Sequence, residues 1–124
     1  MPNLHDMDML IDVQEHIAAQ QRTAGTVNGS GIDLTEYYGG VKFLVSAGAF
    51  GASATLNGKL QESDDNSTFT DVSGATIDEL TAAGTAEITA SVRSFDKRYI
   101  RFSATSAVAA VDYGVTFIGQ KTKV

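Results

Sequence analysis

The residues able to do chemistry are few, and their spacing rarely brings them together. The two histidines, His5 and His16, both lie near the N-terminus. His16 follows Glu15, and a histidine beside a carboxylate is a common acid–base pair. Neighbouring residues point apart on a regular backbone, so the expectation here is a solvated helix or loop. The densest carboxylate group is Asp64-Asp65-Asn66. A calcium loop needs oxygen ligands at alternating positions and a glycine at the turn. Here the acids are adjacent and no glycine follows, so a hairpin turn accounts for them. Asn28-Gly29-Ser30-Gly31 would cradle phosphate only between a strand and a helix, with a lysine to follow. It leads instead into Ile32-Asp33-Leu34, which reads as strand. No Gly-x-Ser-x-Gly elbow occurs, and no histidine is placed to serve a serine nucleophile. Arg93, Lys97, Arg98 and Arg101 form the one basic cluster, interleaved with Phe95 and Tyr99. Such a group can bind nucleic acid or an acidic partner, but charged residues most often protect a strand edge.

Composition narrows the classes further. A chain of 124 residues is one domain. At that size roughly two-thirds of the unfolded surface can be buried, which is enough for a core without staples. The 9 basic residues are outnumbered by 15 acidic ones, giving a net charge of -6. That balance argues against a nucleic-acid grip. The absence of cysteine excludes disulfides, thiol catalysis, zinc ribbons and iron–sulfur clusters. No run approaches the ~20 apolar residues of a membrane span. The opening Met1-Pro2-Asn3-Leu4-His5-Asp6 is acidic and lacks the basic start of a signal peptide. The expectation is a non-enzymatic protein with no cofactor, no metal, no nucleic-acid partner and no membrane, made and kept in the cytoplasm.

The elements that must position these residues are strands. In residues 6–13, Met7, Met9, Ile11 and Val13 alternate with Asp6, Asp8, Leu10 and Asp12. Period two predicts a strand or extended arm over 7–13. A helical face through Met7, Leu10, Ile11, Ile17 and Ala18 competes, so a short helical or irregular piece is expected from there to Arg22. Further strands are expected over 41–47, 54–63, 68–72, 86–93, 98–105 and 111–119. The first of these is apolar enough to be buried on both faces. Residues 64–67 and 94–97 read as turns, and 75–84 as a connector with one helical turn at Asp78-Glu79-Leu80. In 98–105, Arg98, Ile100, Phe102 and Ala104 share one face, and pattern alone does not say which face is buried.

Short strands at regular spacing, joined by Gly, Ser, Asn and Asp turns, indicate an all-β, single-domain sandwich of jelly-roll type. The division expected is an N-terminal extended arm over 1–22 and a β-sandwich domain over 23–124. Phe43, Val45, Leu56, Leu60, Phe69, Val72, Ile88, Phe102, Val115 and Phe117 are the expected core.

Two stretches carry a family resemblance. One is Asn28-Gly29-Ser30-Gly31-Ile32-Asp33-Leu34 followed by Tyr37-Tyr38-Gly39-Gly40 and the strand to Gly48. The other is Leu60 to Val72, with its Glu62-Ser63-Asp64-Asp65 turn and Phe69-Thr70-Asp71-Val72 return, followed by Lys97-Arg98-Tyr99-Ile100-Arg101. Their succession over about residues 25–118 resembles small β-sandwich virion proteins of tailed bacteriophages, encoded near the major capsid protein. The resemblance implies a capsid decoration, or cement, protein, with a minor head, neck or tail structural part as the competing role. It supplies no catalytic residues. It implies a virion location on the capsid surface, the major capsid protein as partner, and self-association, with a homotrimer expected. A carbohydrate-binding sandwich module is the rival from another class. The residues expected to make the contacts are Met7, Met9, Ile11 and Val13 on the arm, and Arg93, Lys97, Arg98 and Arg101 in the basic cluster.

Overall fold

The computed structural model describes residues 10–121. Nine strands form: β1 (Leu10–Arg22), β2 (Gly25–Asn28), β3 (Ile32–Asp33), β4 (Tyr37–Phe50), β5 (Thr55–Ser63), β6 (Thr70–Thr76), β7 (Gly84–Ser91), β8 (Tyr99–Ala107) and β9 (Val111–Lys121). Single 3-10 turns at Leu34–Glu36 and Val92–Ser94 join β3 to β4 and follow β7. One sheet runs β1-β9-β4-β7 and the other β2-β8-β5-β6, with β3 also on β8. All the named strand pairs are antiparallel. With the two-residue β3 set aside, the first strand lies beside the last and successive strands alternate between sheets, except at the β5–β6 hairpin, in the winding of a jelly roll.

The core is the space between the sheets. Phe43, Val45, Leu56, Leu60, Phe102, Val115 and Phe117 are buried there, as is Ile88, in line with the alternation of their strands. Phe69 and Val72 are half-buried, because they lie just before and on β6, the edge strand of the second sheet. Ile100, Phe102 and Ala104 resolve the ambiguous strand: their face of β8 is the inner one. The Phe43 ring stands at the middle, 5.0 Å from Phe117 and 6.0 Å from Phe102 between ring centroids.

Several expectations need correction. Residues 14–22 are neither helical nor irregular: β1 is one strand of 13 residues, paired with β9 from Leu10↔Lys121 to Arg22↔Val111. Two register shifts, at Glu15/Ile17 and Ile17/Gln20, break its period of two and mimic a helical face. Residues 10–22 are thus built into the first sheet. The rest of the arm expectation, residues 1–9 with Met7 and Met9, lies outside the described residues. Opposite the second shift sits Gly114, where an added Cβ would come within 2.8 Å of the Ala19 Cα. Glycine there lets the β1 backbone close onto β9. Strand β4 is buried on one face only, since Lys42 and Leu44 are half-buried and Ser46 is exposed. Asp78-Glu79-Leu80 forms no helical turn. Leu80 instead bridges Leu56, with both backbone bonds at 2.9 Å, which gives its N–H and C=O partners on the second sheet.

Candidate functional site

The basic cluster does not form a cationic surface. The Arg98 guanidinium grips the Asp33 carboxylate through two bonds, Nε at 3.0 Å and an Nη at 2.8 Å. This pairing holds the Asp33 carboxyl well below the usual carboxylate range. Lys97 Nζ is 3.7 Å from Asp64, and Arg101 donates to Gln61 Oε1 at 2.9 Å while lying 4.0 Å over the Phe69 ring. Arg93 is exposed at the 3-10 turn after β7. Acids distant in sequence therefore neutralise two of the four charges, leaving no continuous track for a phosphate backbone.

The acidic turn is a self-contained hairpin end. Asp65 Oδ1 accepts from the Thr68 and Ser67 N–H groups, both at 2.9 Å, and from Ser63 Oγ at 2.8 Å. These donors, the Thr68 amide first, pull its carboxyl down to about 2. Among the described residues, no group of three His, Cys, Asp or Glu side chains is placed to hold a metal ion.

The polar cleft at the end of the sandwich, about 520 Å³ in volume, includes Asp12, Asp33, Glu36, Tyr37, Asn66 and Lys121 in its lining. Several of its groups are bonded to one another. The Tyr37 hydroxyl donates to Asp12 at 2.5 Å and accepts from Gln14 at 3.1 Å, and Lys121 pairs with Glu36 at 3.5 Å. Burial first, then the Asp12 bond, push the Tyr37 phenol far above its usual value, so it stays a donor rather than a base. The tyrosines offer little platform for a sugar ring. Tyr37 and Tyr113 are buried, Tyr99 is half-buried beneath the Arg98 guanidinium, and only Tyr38 is well exposed.

Strand β1 carries an apolar patch open to a partner. Its outer edge carries no strand within the described residues. Ile11 is 55% exposed and Val13 is 61% exposed. Val13 pairs with Ile118, which pairs in turn with Lys42, so these side chains share the outer face of the first sheet. A shallow groove of about 230 Å³ runs there between Ile11, Lys42, Thr89 and Ile118. The structure thus joins Ile11 and Val13 in one patch and separates them from the arginines and Lys97.

Two features escape sequence reasoning. His16 is not solvated. Its ring meets the Phe43 ring edge-on at 5.1 Å, and its Nε2 accepts the Phe102 N–H at 2.9 Å. Burial pushes its pKa down to about 4. The sequence carries no signal of it: Ile17 continues the odd-numbered apolar series of Met7, Met9, Ile11 and Val13 and does not announce that His16 turns inward as well. The second is Val108 at the β8–β9 turn, 73% exposed with φ +76°. A β-branched residue in the left-handed region is strained. Val108→Asn is expected to raise the unfolding free energy by about 1 kcal/mol, read from a urea transition. A lower midpoint would show that this turn carries no such strain.

The sequence matches no family model and no curated protein. Solved structures share the fold. The VP2 subviral particle protein of infectious bursal disease virus is similar over 93% of this chain, with a TM-score of 0.62 and 8% identity. The chain spans about a third of VP2, 33% of its length. The SPBc2 prophage-derived protein YomS is similar over 90% of this chain and 96% of its own, with a TM-score of 0.54 and 10% identity. A chain from the disulfide-linked pili of Bacillus endospore appendages is similar over 94% of this chain and 91% of its own, with a TM-score of 0.52 and 13% identity. At these identities the likeness is one of fold.

Proposed function

We propose that this protein is a non-enzymatic structural component of a tailed-bacteriophage virion, a decoration protein that binds the outer surface of the assembled head and stabilises it. The observation that carries this reading is a jelly-roll edge strand, unpaired on its outer side within the described residues, that exposes Ile11 and Val13. An edge with free N–H and C=O groups and exposed Ile11 and Val13 seeks a partner strand or surface. The resemblance of residues 25–118 to small phage virion proteins supports the same reading, as does a fold found in a viral VP2 and a prophage-derived protein.

In this reading the partner is the major capsid protein. Ile11 and Val13 make the contact with Met7 and Met9, and Arg93 and Arg101 are the cluster's cations not paired with an acid and left for an acidic patch. Each copy contributes little, but symmetry repeats the contact, and binding only the assembled head stabilises it by mass action. A closed homotrimer fits a threefold position. The scarcity of exposed tyrosine disfavours a carbohydrate-binding module.

The test uses purified heads that lack the protein. The full chain is expected to saturate them at a fixed copy number. The double variant Ile11→Asp/Val13→Asp alters only outward side chains and is expected to bind at least ~10-fold more weakly, about 1.4 kcal/mol. Removal of residues 1–9 should also weaken binding. Equal binding by the double variant would refute the β1 contact, and no binding by the full chain would refute the decoration role.

A further inference from the structure

We propose that β1 is a latched strand which acid releases: protonation of His16 breaks the side-chain bond that ties the first sheet's edge to the second sheet. The geometry begins with a gap. On β8, pairing to β2 ends at Asn28↔Ser103 and pairing to β3 resumes at Ile32↔Ile100. Residues 29–31 bypass β8 between those points. The Phe102 carbonyl is met by the Gly29 N–H at 3.0 Å, but the Phe102 N–H has no backbone acceptor there. His16 fills that place from the other sheet, its Nε2 accepting at 2.9 Å.

Three features of the chain build this contact. The register shift between Glu15 and Ile17 turns His16 and Ile17 inward together, where regular alternation would face one outward. Gly29 clears the path, since a Cβ there would come within 2.0 Å of the imidazole Nε2. The Phe43 ring braces the imidazole edge-on. An Nε2 that accepts must be unprotonated, so the proton of the neutral ring is on Nδ1. A second proton on Nε2 turns the acceptor into a donor facing the Phe102 N–H, and places a charge among aromatic rings.

Among the described residues no ionised neighbour offsets that charge. Strand β4 turns Val41, Phe43 and Val45 inward, β9 turns Val115 and Phe117, and β8 turns Ile100, Phe102 and Ala104. The charged residues of these strands are engaged elsewhere or face out: Lys42 pairs with Glu87, Arg101 with Gln61, and Lys121 with Glu36, while Asp112 alternates with the buried Val111 and Tyr113. On the neighbouring segments, Asp12 is held by Tyr37, Asp33 by Arg98, and Arg22 donates to the Tyr113 carbonyl, and Glu15 is exposed on β1. Burial alone, with no paired carboxylate, lowers the His16 pKa. Within the described residues β1 has a strand on one side only, so loss of the latch falls on an edge strand. Its release leaves the β9 edge open to another strand.

Hydrogen exchange read by mass spectrometry, corrected for intrinsic rates, tests this on the full chain without heads. At pH 4, β1 amides should exchange through an opening that leaves β4 and β5 paired, with protection at least ~10-fold below that of β4 and β5 and below their own at pH 7, and His16→Gln, which keeps an acceptor but does not titrate, should abolish the pH response of β1. β1 amides that open only together with β4 and β5, or an unchanged response in His16→Gln, would overturn the proposal. Should that variant not fold, NMR of the wild-type chain decides. The Phe102 amide shift must titrate with the His16 ring, and a Phe102 amide that ignores the ring's midpoint would overturn it.

Discussion

Replacing Phe43 with alanine is expected to cost about 3–5 kcal/mol of folding stability. The ring is fully buried and touches both sheets through aromatic neighbours: Phe117 on β9, Phe102 on β8 and His16 on β1. Its removal opens a cavity at the point where β1, β4, β8 and β9 converge, and the closed jelly roll has little freedom to collapse into it. Chemical denaturation of Phe43→Ala measures the loss. The same truncation at exposed Val13 should change stability by less than about 0.5 kcal/mol, because no core contact is lost. A Phe43→Ala loss below about 1 kcal/mol would mean that the ring is not the centre of the core.

The second large effect is on acid stability. The neutral His16 ring is favoured in the folded state, where its pKa is about 4 against 6.5 when unfolded. Between those values the unfolded chain binds more protons, so stability falls as pH falls. The contribution is complete above about pH 6.5 and lost progressively toward pH 4, a difference of ~3 kcal/mol. Thermal unfolding across this window should show it, and His16→Gln should flatten the profile there. Asp65 adds acid sensitivity of the same sign nearer pH 2 to 4, since its folded pKa is also depressed, but its exposed turn limits the effect. A wild-type profile that is flat from pH 6.5 to pH 4 would contradict the buried, neutral imidazole.

Much of the architecture is legible in the sequence where local chemistry and tertiary packing agree. Val41-Lys42-Phe43-Leu44-Val45 alternate with their burial, as do Val111 to Phe117 apart from the buried Gly114, so β4 and β9 can be read directly. Asp64-Asp65-Asn66-Ser67 is a turn because its side chains bond its own backbone, which is a local event. The illegible parts are those decided by distant residues. β1 conceals its strand character because two shifts answer to Gly114 and to the Phe102 gap on another sheet. The arginines look like one cluster in sequence but are divided by Asp33 and by Gln61 with Phe69, which only the fold brings near. Val108 lacks any turn residue that would announce its left-handed backbone.

The patch formed by Ile11 and Val13 is half-legible for the same reason. Alternation puts these two on one face, but whether that face is inner or outer depends on register with β9, which places Val13 against the outward Ile118. The consequence for function is direct. A face of the first sheet that is open among the described residues is, under the proposed decoration role, the surface that would meet the capsid shell.

Electron cryomicroscopy of the intact phage particle is the most direct test of the decoration role. The predicted result is jelly-roll density on the outer surface of the head, repeated by the head's symmetry, with the β1 edge and its Ile11 and Val13 side chains against the capsid shell. Density confined to the neck or tail, or absent from the particle, would contradict it.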